Sequence, residues 1–166
     1  MKEDTQMPNG IDADEVREWL NNSSIYNYED TSHENPGFGF SVSVDGVHML
    51  QVLESTEGDY MFLRGGMEFE SDILTNILDR EHDERQLGTL FASVLTNAGG
   101  RYRYLDDEGN GTIDLREVRT VEFDKPIFPD GASQHELINS LYEMNRSLKF
   151  INIMVEYYKK NLEEQT

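Results

Sequence analysis

Between Ser133 and Glu163, apolar residues recur at Leu137, Leu141, Met144, Leu148, Ile151, Val155, Tyr158 and Leu162. The steps alternate between four and three, which puts them all on one stripe of a long α-helix. Ser133 and Glu136 stand at the spacing of a capping box, and Pro129 and Gly131 block extension backward. The positions flanking the stripe are Ile138, Ser140, Asn145, Ser147, Asn152 and Met154, almost without charge. A two-stranded coiled coil would carry Glu and Lys there. The pattern therefore predicts a broad face buried against a sheet. Phe150, Ile153 and Tyr157 form a second row on roughly the opposite side. Either a loop or the first helix lies over them, or they are a partner or dimer contact.

Upstream, Asp12 and Glu15 form another capping pair, and Val16, Trp19 and Leu20 give a first helix one apolar face. Asn27 to Pro36 reads as an acidic loop. Phe38, Phe40, Val42 and Val44 alternate with small polar residues and predict a strand. Asp45-Gly46 then predicts a two-residue hairpin pairing Val44 with Val47, Val42 with Met49, Phe40 with Gln51 and Phe38 with Leu53. Asp59 to Arg64 predicts a third strand, resuming at Met67 to Phe69. From Ser71 to Leu95 the period is helical, with a break or kink in the charged stretch Asp79 to Arg85. Arg101 to Leu105 alternates as a strand. Thr112 to Phe123 is strand-like with a parity shift between Leu115 and Val118, which a bulge would explain. Lys125 to Gly131 reads as an extended link. The predicted order is α-βββ-α(α)-ββ-α, an α+β fold with an antiparallel sheet and helices on one face.

Composition narrows the function classes. The chain of 166 residues is expected to be a flexible start, 1–10, and a single domain, 11–166. The net charge of −19 opposes nucleic acid and anionic membrane surfaces, and is compatible with a basic polypeptide, divalent cations or high salt. Arginine outnumbers lysine nine to five, which leans toward a salt-adapted source. With no cysteine there is no disulfide, thiolate site or thiol nucleophile. No apolar run reaches the length of a membrane span, and the polar Met1 to Gly10 is no signal peptide. The expectation is a cytoplasmic protein.

Candidate chemistry is sparse. His33, His48, His82 and His135 fall in no ligand spacing, and no serine or glycine loop has a catalytic or phosphate-binding context. One stretch rises above this background. Asp106 to Glu117 matches a calcium loop of the EF-hand type, with ligand positions Asp106, Glu108, Asn110, Asp114 and Glu117, Gly111 at the turn and Ile113 at the β contact. Glu108 is longer than the usual side chain there, and Gly99-Gly100 with Arg101 to Tyr104 makes a poor entering helix. The same residues also read as a hairpin tip turning at Gly109-Asn110-Gly111.

EVREWL (Glu15 to Leu20), FGFSVSV (Phe38 to Val44), HMLQVLE (His48 to Glu54), DYMFL (Asp59 to Leu63) and PIFPDGASQHELINSLYEMNRSL (Pro126 to Leu148) together carry a resemblance. The chain resembles an uncharacterised, mostly archaeal family of the type III secretion chaperone-like fold group, which also holds the bacterial YbjN-like proteins. The resemblance covers roughly residues 11 to 160, and the helical stretch Ser71 to Asp83 stands as an addition. It implies a small acidic homodimer that uses no nucleotide and holds extended segments of client polypeptides. The expectation is thus a non-enzymatic, chaperone-like protein- or peptide-binding module without a cofactor. Phe150, Ile153 and Tyr157 would be its contact residues. The alternative is a calcium-binding protein using residues 106–117.

Overall fold

The structure is a computed structural model that describes residues 10–23, 26–34, 37–45, 48–57, 59–79 and 84–164. The flexible start expected for 1–10 lies almost wholly outside these residues, as do His82, the predicted turn residue Gly46 and Val47, the predicted partner of Val44. Four helices are described, α1 (Ala13–Asn21), α2 (Ile73–Asp79), α3 (Glu84–Asn97) and α4 (Gln134–Glu164). Seven strands join them, β1 (Tyr26–Asp30), β2 (Gly39–Val44), β3 (His48–Glu54), β4 (Met61–Glu68), β5 (Arg101–Leu105), β6 (Gly111–Thr112) and β7 (Thr120–Ile127). They form one antiparallel sheet in the order β1-β2-β3-β4-β7-β5-β6. The fold is α+β.

Local chemistry explains the helix starts. The Asp12 carboxylate accepts from the Asp14 amide at 3.0 Å and caps α1. Ser133 Oγ accepts from the Glu136 amide at 3.1 Å at the start of α4. The stripe on α4 buries Leu137, Leu141, Met144, Leu148, Ile151 and Val155, and the helix lies on β2, β3, β4 and β7. Along β2 and β4 burial alternates, with Phe40, Val42, Met61 and Leu63 inside while Ser41, Ser43, Phe62 and Arg64 are half-buried. One sheet face therefore makes the core. Gly65 is part of that contact. A Cβ there would lie 2.7 Å from Leu50 Cδ2 and 3.0 Å from Met144 Sδ, so its lack of a side chain lets α4 settle on β4.

Several elements differ from the expectation. Residues 26–30 are an edge strand, not loop. In β1, Tyr28 stands edge-on to Phe40 with ring centroids 5.8 Å apart, while Asn27, Glu29 and Asp30 are exposed. An edge strand that buries so little carries no apolar alternation. The β2–β3 register is one residue off the predicted one, with Val44 opposite His48, Val42 opposite Leu50 and Phe40 opposite Val52. This puts Leu50 and Val52 in the core and turns Gln51 away, where the predicted hairpin buried Gln51. Strand β4 runs unbroken through Gly65-Gly66. The parity shift at Leu115 reflects a turn at 115–117 rather than a bulge, and β7 begins only at Thr120. The expected link from Lys125 begins as the end of β7. There Pro126 pairs with Phe62, beyond the last β5 partner at Asp124, so its missing N–H faces no strand.

Candidate protein-contact surface

Phe150, Ile153 and Tyr157 lie on the side of α4 away from the sheet and are 44%, 65% and 63% exposed. Among the described residues, neither α1 nor a loop covers them. The four-three steps that bury Leu148, Ile151 and Val155 inward set these three outward along the same turns. The row continues at the same spacing into Arg146 at one end and Lys160 at the other. Tyr142, also exposed, lies about two turns before Phe150 on the same outward side of the helix. Beside Phe150, a groove of about 290 Å³ opens between α3 and α4, floored by Val94 and Ala98 and edged by Glu143 and Arg146. On a chain of charge −19, this is an apolar row ending in cations. Such a surface suits a protein contact.

The acidic loop is arranged differently. Asp106 Oδ1 accepts from the amides of Glu108 at 3.0 Å and Asn110 at 2.8 Å, and the Asp106 amide donates to the Asn110 carbonyl. Gly109, at φ +82°, makes the tip turn, while Gly111 is paired with Leu105 in the sheet. Glu117 accepts from Thr112 Oγ1 at 3.0 Å and Asp114 from the Arg116 amide at 3.0 Å, each bonded within the loop. Ile113 is 98% exposed rather than in a β contact. Among the described residues, no three His, Asp or Glu side chains come together as a metal cluster. His33 is exposed beside Glu34 at 3.5 Å, and His135 sits in the first turn of α4.

A second surface is absent from the sequence reading. Trp19 on α1 and Phe128 after β7 face a common groove of about 630 Å³, with Ile11 and Pro129 in its walls and Glu15 and Asp130 on it. Phe128 is 55% exposed, and its ring is held against Tyr60 at 5.4 Å between centroids. The one sequence hint was Phe128-Pro129 inside a polar, proline-punctuated stretch, which nothing local connects to Trp19.

Comparison with known proteins bears on the fold. The chain is similar to an uncharacterised protein from Methanothermobacter thermautotrophicus, solved as a crystal structure. The TM-score is 0.68 at 14% identity, covering 86% of this chain and 94% of the other. At that identity the likeness establishes a shared fold and nothing about activity. No protein-family model matches the chain, and no curated protein does. Among the described residues, no helix is long and apolar enough to cross a membrane.

Proposed function

We propose that this protein is a non-enzymatic polypeptide-binding module of the secretion-chaperone-like kind. It acts in the cytoplasm as a homodimer joined through Phe150, Ile153 and Tyr157. The observation that carries this reading is the exposed apolar row on α4, fully laid out along a helix that already buries its other side. Exposed large apolar side chains in a contiguous row mark contact sites. The proposed occupant is a second copy: two chains of charge −19 repel overall, and the strip bounded by Arg146 and Lys160 offers them an apolar contact with a cation at each end. A helix row with four-three spacing packs on its own copy by ordinary ridge-in-groove geometry. Light scattering at moderate salt tests the reading. The wild type is expected at twice the chain mass. The triple change Phe150→Ser, Ile153→Ser and Tyr157→Ser is expected at the single mass with its circular dichroism unchanged. A wild type that stays monomeric at high concentration removes the dimer, and a dimer indifferent to the triple change moves the contact elsewhere.

A second reading, calcium binding by residues 106–117, is favoured by one observation. A bidentate Glu117 needs residues 115–117 to leave the sheet, and they do form a turn ahead of a late-starting β7. In that reading Asp106, Glu108, Asn110, Asp114 and Glu117 would supply the oxygens.

A further inference from the structure

The groove between α1 and the Phe128–Ala132 segment has a chemistry of its own. Its apolar surface comes from Trp19, Ile11, Pro129 and Phe128, and Trp19 and Ile11 pack directly on the core. Glu15 and Asp130 lie on it, and among the described residues neither carboxylate has a hydrogen bond or ion pair. About 630 Å³ falls within the size range of ligand-binding clefts. We infer that this groove binds a lysine- or arginine-bearing segment of another polypeptide. The aliphatic stem would lie along Ile11 and Pro129, and the cationic head between the Trp19 and Phe128 rings and the two carboxylates.

Three physical arguments choose that occupant. An acidic or neutral segment would leave two carboxylates beside an apolar wall with no counter-charge, whereas a cation meets both charge and ring faces. Lysine and arginine match the groove in form as well, since each has an apolar stem and a charged tip. The chain's charge of −19 steers a basic segment toward this surface and repels an acidic one. Phe128 needs no rearrangement, because Tyr60 already holds its ring. This groove is distinct from the α4 row. One end of α4 follows directly after Ala132, and Phe150 lies 16 residues beyond Gln134, roughly 24 Å along the helix axis.

The inference rests on the polypeptide-binding reading for its choice of a peptide, but it fails or succeeds separately from the dimer. Trp19 is the chain's single tryptophan and stands in the groove, so its fluorescence reports occupancy directly. The probe is a blocked Leu-Lys-Leu-Lys-Leu peptide, with Leu-Glu-Leu-Glu-Leu as the control, titrated into the full chain at low salt. A saturable change in Trp19 emission with the lysine peptide alone is expected. It should weaken at least tenfold in the Glu15→Gln, Asp130→Asn double variant and in Phe128→Ala. Far-ultraviolet circular dichroism confirms that both remain folded, and both sites are exposed enough for this to hold. Equal responses to both peptides, no saturable response to either, or responses unchanged in both variants would overturn the proposal. So would a response that appears only after residues 1–9 are removed, which would give the groove to this chain's own segment. A Trp19 signal that follows protein concentration instead of peptide would assign it to a second copy and also overturn it.

Discussion

Phe40 stands directly opposite Val52 across β2 and β3, and neither side chain reaches solvent. Tyr28 and Phe38 close over the Phe40 ring at 5.8 and 5.9 Å between centroids. Phe40→Ala should therefore cost about 3–5 kcal/mol, because the cavity it leaves is walled by strands that cannot collapse. Ser41→Ala, on the other face, should stay within about 0.5 kcal/mol. Urea unfolding of the two variants measures both, and similar small effects would mean that Phe40 is not in the core.

Gly65 offers a test of how closely α4 lies on the sheet. Gly65→Ala puts a methyl into Leu50, Met144 and Leu148, with Leu148 Cδ1 at 3.2 Å from the new carbon. A loss of about 1–3 kcal/mol is expected, as for other overpacked cores. Gly111→Ala meets no atom within 4 Å and serves as the neutral comparison. A tolerated Gly65→Ala would show that α4 can lift off β4 without penalty.

Asp30 is held below the ordinary carboxylate range, to about 2, first by the Ser32 hydroxyl, then by the Ser32 amide at 2.9 Å and by Arg17. A depressed carboxyl contributes stability above its unfolded value of 3.8, and that contribution is lost as pH falls from there through about 2. Carbon-detected NMR titration should find Asp30 still ionised at a pH where other exposed carboxylates are half-protonated. Ser32→Ala should move its midpoint upward, and an unmoved midpoint would remove Ser32 as the cause.

The acidic loop separates the two functional readings. If 106–117 is only a hairpin tip, calcium should bind weakly and magnesium nearly as well. If it is a site, calorimetric titration with calcium over excess magnesium should give a saturable one-to-one heat in the micromolar range. Glu117→Gln should abolish that heat, because it removes the bidentate ligand. A heat that survives the substitution would place any bound calcium elsewhere.

How much of this was legible in the residues depends on the range of the interactions involved. The α4 stripe, its Ser133 start, the Asp12 cap and the alternation of β2 each depend on neighbours within about a turn or a strand pair, so their spacing alone determined them. The exposed row of Phe150, Ile153 and Tyr157 was visible the same way. Whether anything lay over it was a tertiary question, since the sequence left α1 or a loop as candidates. The β2–β3 register turned on which of Gln51 or its apolar neighbours would face a core built by α4, a helix some 80 residues away. β1 exposes Asn27, Glu29 and Asp30, which read as loop in sequence, and it forms because β2 presents an edge to pair with. The Trp19–Phe128 groove joins residues more than 100 positions apart. No local periodicity encodes that closeness, and only the tertiary packing that sets α1 against α4 and β1 decided it.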